Sequence, residues 1–152
     1  MARPIYLERG LELSPFTLKR MLESIDPSRY DERLGPDRFS LREVVAHLVD
    51  FDLMIRSRME LALASPGAVV PVWDEDAEAA AHNYATLEVA PTLDKLLKGR
   101  AKTVELFKSL SEEQQKQTVT HAVRGPLSIL DLGVFELGHD SYHLEQVSHY
   151  LR

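Results

Sequence analysis

Apolar positions along this chain recur mainly at steps of three and four, the repeat of a helix that buries one face. Four stretches carry it. In "SPFTLKRMLESI", Phe16, Met21, Leu22 and Ile25 form the stripe, Ser14 is placed as a cap and Pro15 falls at the first helical position. A start near Ile5 is the alternative. The prolines, glycine and charges of "DPSRYDERLGPDRF" then suit a surface crossover. The second stretch, "FSLREVVAHLVDFDLMIRSRMELALAS", opens with Ser40 and Glu43 as a capping box and Phe39 as a hydrophobic staple. Ser65, Pro66 and Gly67 end it.

A third helix is expected from Thr92, with Leu93, Leu96, Leu97, Val104 and Phe107 at core spacings. Gly99 inside it costs about 1 kcal/mol relative to alanine. The last begins at Ser128, has Asp131 at its favourable third position, and runs to the end of the chain. Between these, "AVVPVW" reads as an extended loop because of its prolines, and a short helix is expected over 75–84. "SEEQ" at 111–114 has capping-box form and precedes the mixed segment "QTVTHAVRGPLS". The pattern predicts an all-α protein: a four-helix bundle with short extra helices and loops in the connections, 1–152 forming a single domain.

Composition narrows the function. Eighteen basic against twenty-four acidic residues give a net charge of -6 with no long run of one sign, which argues against nucleic acid as a partner. There is no cysteine, so disulfides, thiolate metal sites and a catalytic cysteine are excluded, and any thiol chemistry must use a thiol from elsewhere. No stretch reaches the roughly 18 apolar residues of a membrane span, and "MARPIYLERGLEL" lacks a signal-peptide core. The expectation is a cytoplasmic protein without membrane contact.

Candidate chemistry lies on two helical stripes. Leu132, Phe135, His139, His143, Gln146 and Tyr150 share one face of the last helix, where imidazoles four residues apart can converge on one ion. On the second helix, Val44, His47, Phe51, Met54, Arg58 and Leu61 share a face, and His47 interrupts its apolar row. Bundles build metal sites from such facing side chains, and three neutral imidazoles suit Zn, Ni, Fe or Mn with coordination positions left open. Spacing alone leaves a second reading standing, in which these are surface or hydrogen-bonded core histidines.

A resemblance bears on that choice. "FSLREVVAHLVDFDLMI" resembles the second-helix motif of the DinB-like superfamily, and "LGHDSYHLEQVSHYL" its last-helix motif, in the same order along the chain. Phe39 stands where the family often has tryptophan. The resemblance implies a four-helix bundle, often a homodimer, with a divalent metal held by His47, His139 and His143. It also implies kinship with thiol-dependent transferases that use bacillithiol, mycothiol or glutathione.

Two function classes follow. One is a metal-dependent enzyme acting on a small-molecule substrate, either a low-molecular-weight thiol S-transferase with the thiol as cosubstrate or a hydrolase. The other is a non-catalytic helical bundle that binds a metal or small ligand, with stress response as its setting; a purely structural bundle with no metal stands third. Candidates for a catalytic role beside the metal are Asp50, His121 and Gln146; Asp50 and Asp140 could each orient a histidine, with solvated carboxylates the plainer reading. Arg58 could bind a substrate carboxylate, although snorkelling to solvent is favoured. His82 and His149 read as surface residues and Trp73 as core.

Overall fold

The computed structural model describes residues 4–151. Four long helices, α1 (Ile5–Glu23), α2 (Leu41–Ala64), α4 (Val89–Ser109) and α6 (Ile129–Ser148), form a bundle in which α1 packs on α4 and α6, and α2 packs on the same two. Helices α1 and α2, consecutive in sequence, therefore face each other across a diagonal, and residues 24–40 cross the bundle end between them. Two short helices, α3 (Glu75–Ala81) and α5 (Glu112–Gln115), lie in the connections. Among the described residues no helix is long and apolar enough to cross a membrane.

Local signals start several of these elements. Ser40 with Glu43, Ser111 with Gln114 and Ser128 with Asp131 each form reciprocal capping boxes at the expected positions. Two helices begin earlier than expected. Helix α4 starts at Val89, its Pro91 tolerated in the first turn where a backbone N–H has no intrahelical partner, and Thr92 lies inside it. Helix α1 starts at Ile5 and carries Pro15 in its buried interior. Proline leaves the carbonyl four residues earlier without its helical donor; here Leu11 O instead accepts from Arg100 Nη1 at 3.0 Å. Ser14, expected as the cap, donates its hydroxyl to Asp140.

Arg100 organises the bundle centre. Its Nε donates to Asp52 at 2.8 Å, its Nη1 to Asp140 at 2.5 Å, and its Nη2 to Asp140 at 2.9 Å and to Glu136. Arg56 joins Asp52 at 3.1 Å and also reaches Gly99 O and Thr103. All four long helices are thereby tied together. Burial opposes the charge of Arg100, but Glu136, Asp140 and Asp52 outweigh it and hold the guanidinium protonated.

The connections hold a small sheet that hydrophobic periodicity missed. Strands β2 (Thr118–His121) and β3 (Gly125–Ser128) pair antiparallel, and β1 (Val69–Val70), expected as loop, adds to β2 in parallel. Gly125 closes the hairpin at φ 78°, a conformation glycine adopts without a Cβ clash. The expected 75–84 helix stops at Ala81, and Asn83 turns the chain at φ 51°.

Candidate metal centre

Because α2 and α6 are packed neighbours, their two histidine-bearing stripes meet. His47 Nε2 lies 2.8 Å from His139 Nε2, and His143 Nε2 lies 3.2 Å from the same atom. One nitrogen from each ring falls within 4.8 Å of the others, a grouping that could hold a metal ion. Phe51 stacks flat on His139 at a centroid distance of 3.6 Å, and Trp73 covers His47 at 5.6 Å.

Hydrogen bonds decide which nitrogen of His143 carries its proton. The Gln146 amide nitrogen points at Phe39 O, 3.5 Å away, which turns Oε1 toward His143. His143 Nδ1 donates to that oxygen at 3.0 Å, so in the neutral ring Nε2 presents a lone pair to the cluster. Burial pushes His47 down to about 3, with His143 adding to the effect, and His139 down to about 2, with His143, His47 and Arg100 contributing. Burial lowers His143 too, against the opposing pull of Gln146 and Asp140. All three rings are neutral at physiological pH, the form that ligates metals.

The donor set fits a cation. With a lone pair fixed on His143 Nε2, a proton on His139 Nε2 can make one two-centre hydrogen bond, and the second nitrogen contact is left unsatisfied. His47 Nδ1 and His139 Nδ1 are buried without a partner. A cation accepts all three inward lone pairs at once.

The other expected residues are distributed differently. Asp50 accepts from Tyr84 Oη at 2.5 Å and pairs with His82 Nδ1 at 2.7 Å, so it orients neither Nδ1 of the cluster. Asp140 is engaged with Arg100 and Ser14. Gln146 does touch a histidine of the cluster. His121 lies on β2, where its Nδ1 accepts from the amides of Val123 and Arg124, both at 3.1 Å. Arg58 is 8% exposed and has not reached solvent. Trp73 is half-buried over His47 rather than sealed in the core. His82 and His149 are exposed, as expected.

One neighbour had no signature. Glu75 opens α3 and brings Oε2 to 3.6 Å from His47 Nε2, with its carboxyl pushed up by burial and by Asp76 and Asp74. It lies in the acidic run "DEDAE", which reads as a solvated helix start, and no helical period relates it to His47. Beside the cluster, Phe51, Trp73 and His139 form part of the wall of a cavity of about 870 Å³ that also reaches Arg58, His121 and Arg124.

The comparisons with known proteins agree with this architecture. Residues 11–147 match the DinB superfamily, and the chain belongs to it. An Oceanobacillus iheyensis protein named as an inferred metal-dependent hydrolase is 25% identical over 131 residues, covering 86% of this chain and 75% of its own length. The structure of YfiT from Bacillus subtilis, described as an inferred metal-dependent hydrolase of unusual four-helix-bundle topology, superposes with a TM-score of 0.87 at 21% identity, covering 99% of this chain and 90% of that one. A mycothiol-dependent maleylpyruvate isomerase superposes with a TM-score of 0.78 at 14% identity, covering 96% of this chain and 61% of that one.

Proposed function

We propose that this member of the DinB superfamily is a metal-dependent enzyme acting on a small molecule, with His47, His139 and His143 as the protein ligands of a divalent ion. The observation that carries the reading is the inward convergence of three neutral imidazoles, His47 and His143 buried and His139 half-buried, whose nitrogen contacts protons cannot all satisfy. Zn, Ni, Fe and Mn all suit such a donor set. The hydrolase names of the relatives support the enzymatic reading.

When bound, the ion lowers the pKa of a water or thiol on its open face. The chain supplies the rest. Gln146 holds the tautomer of His143, a hydrogen bond of the kind that keeps a ligand ring oriented. Phe51 and Trp73 shield the imidazoles from bulk water. Glu75 stands at the edge of the cluster, with Oε2 placed to receive a proton from an incoming nucleophile. Hydrolysis of a small amide or ester-like electrophile is the first reaction in this reading. Transfer of a low-molecular-weight thiol is the second, favoured by the absence of cysteine from the chain and by the mycothiol dependence of one structural neighbour.

The test is elemental mass spectrometry on tag-free protein purified without chelator or nickel resin, beside a variant with His47, His139 and His143 changed to alanine. Near-stoichiometric metal in the parent and none in the folded variant is expected. A parent that carries no metal, and takes up no added Zn, Ni, Mn or Fe(II), overturns the reading.

A further inference from the structure

The cavity beside the histidines has a lopsided wall. Phe51, Met54, Leu132 and Phe135 make much of it apolar, whereas Arg58, His121 and Arg124 bring basic groups to it. These three lie close enough for Arg58 and Arg124 both to act electrostatically on His121. Arg58 follows Phe51 by seven residues on α2, about 10 Å along the helix axis, so the basic groups are set apart from the histidine cluster.

Arg58 is the telling residue. It is 8% exposed, its Nη2 donates to Pro71 O at 2.7 Å, and no described carboxylate pairs with it. Arg100, similarly buried, is surrounded by three acidic side chains. A buried guanidinium without a counter-ion is costly, and it occurs here in a chain whose net charge is -6. The groups near it are donors too. With its Nδ1 accepting from two amides, neutral His121 carries its proton on Nε2. The exposed Arg124 guanidinium sits 5.1 Å over the Phe135 ring at the cavity wall.

We propose that this cavity binds a small molecule with an apolar body and one terminal carboxylate, the carboxylate pairing with Arg58 and flanked by His121 and Arg124. The body runs along Phe51 and Met54 toward His139, a span of roughly 10 Å that matches an aromatic ring with a short chain. The placement of the reacting group at the histidines rests on the proposed metal centre; the carboxylate subsite does not.

Isothermal titration of the protein as purified, with 4-phenylbutyrate and its neutral analogue 4-phenylbutanamide, tests the subsite. The acid is expected to bind at least about tenfold more tightly, as a charge-assisted pair in a partly dry pocket provides. Arg58→Gln should abolish that preference with metal content unchanged, Arg58→Lys should keep part of it, and Arg124→Gln, on the exposed hairpin, should reduce it about twofold to threefold. Thermal unfolding of each variant checks the fold, and Arg124→Gln gives a readout that does not perturb a buried position. Equal binding of acid and amide by the parent overturns the proposal. So does a preference that survives in Arg58→Gln, since the carboxylate would then be held by the metal. A parent without metal that still shows an Arg58-dependent preference overturns the metal reading and leaves the subsite intact.

Discussion

Two polar clusters share the interior of this bundle, and they differ in how their hydrogen bonds close. Around Arg100 every guanidinium nitrogen has an acceptor, the charges of Arg56 and Arg100 balance Asp52 and Asp140 once Glu136 is protonated, and Glu136 Oε2 alone is buried without a partner among the described residues of this network. Around His139 two Nδ1 atoms have no partner, and three Nε2 atoms crowd together without the protons to pair them all. A charge-balanced network whose cation is fully paired ties helices together. An open one of neutral donors leaves binding capacity unused. The contrast between Arg100 and Arg58 repeats the lesson: one buried cation is consumed by the fold, while the other faces a cavity with no counter-ion among the described residues.

The comparison can be broken at four points. Arg100→Met should have the largest effect, a loss of about 3–5 kcal/mol in urea unfolding, because Asp52 and Asp140 lose their buried partner. A smaller loss would mean that the network is not what fastens the helices. Gln146→Leu should leave the fold intact but weaken metal binding about 10–100-fold in competition with a chelator, since His143 Nδ1 loses its acceptor.

Glu136 provides the pH test. Burial raises its pKa well above the usual carboxylate range, with Asp52 and Asp140 adding to the rise and Arg100 opposing it. The folded state therefore holds a proton that the unfolded chain releases near pH 4.5, and this group's contribution to stability falls as pH rises from there toward its folded pKa. Glu136→Gln should remove that component, so the variant loses less stability than the parent between pH 5 and pH 8, read from denaturation midpoints. The smallest effect is expected of Asp50→Asn. Although only three residues from His47, Asp50 serves Tyr84 and His82, and metal affinity should change less than about threefold, below the effect expected of a ligand-orienting partner. A larger change in chelator competition would show that Asp50 reaches the cluster.

Much of this was legible in local sequence. Two capping boxes and the Ser128 cap were readable because each is contained within four residues, and the stripes of His47 and of His139 with His143 were readable because helical periodicity fixes a face. The resemblance of the two motifs to the DinB-like superfamily agrees with the match over residues 11–147. For α1 the alternative start near Ile5 is the one the structure has, and the Ser14 opening fails because a distant arginine takes the freed carbonyl of Leu11. The sheet was missed because strands of two to four residues carry too little alternation, and the pairing of β1 with β2 joins segments some fifty residues apart.

What the sequence by itself determined was therefore the set of helices and the face on which each histidine lies, since both depend on interactions within a turn or two. Which buried cation would be neutralised, which carboxylate would stand beside His47 and which side chains would share a cavity were decided only by the tertiary structure. Those properties depend on distances between helices and loops that no local period encodes: Glu75 reaches His47 because α3 folds back on α2, and the core carboxyl groups of Asp52, Glu136 and Asp140 gather around Arg100, whereas Arg58 meets a backbone carbonyl.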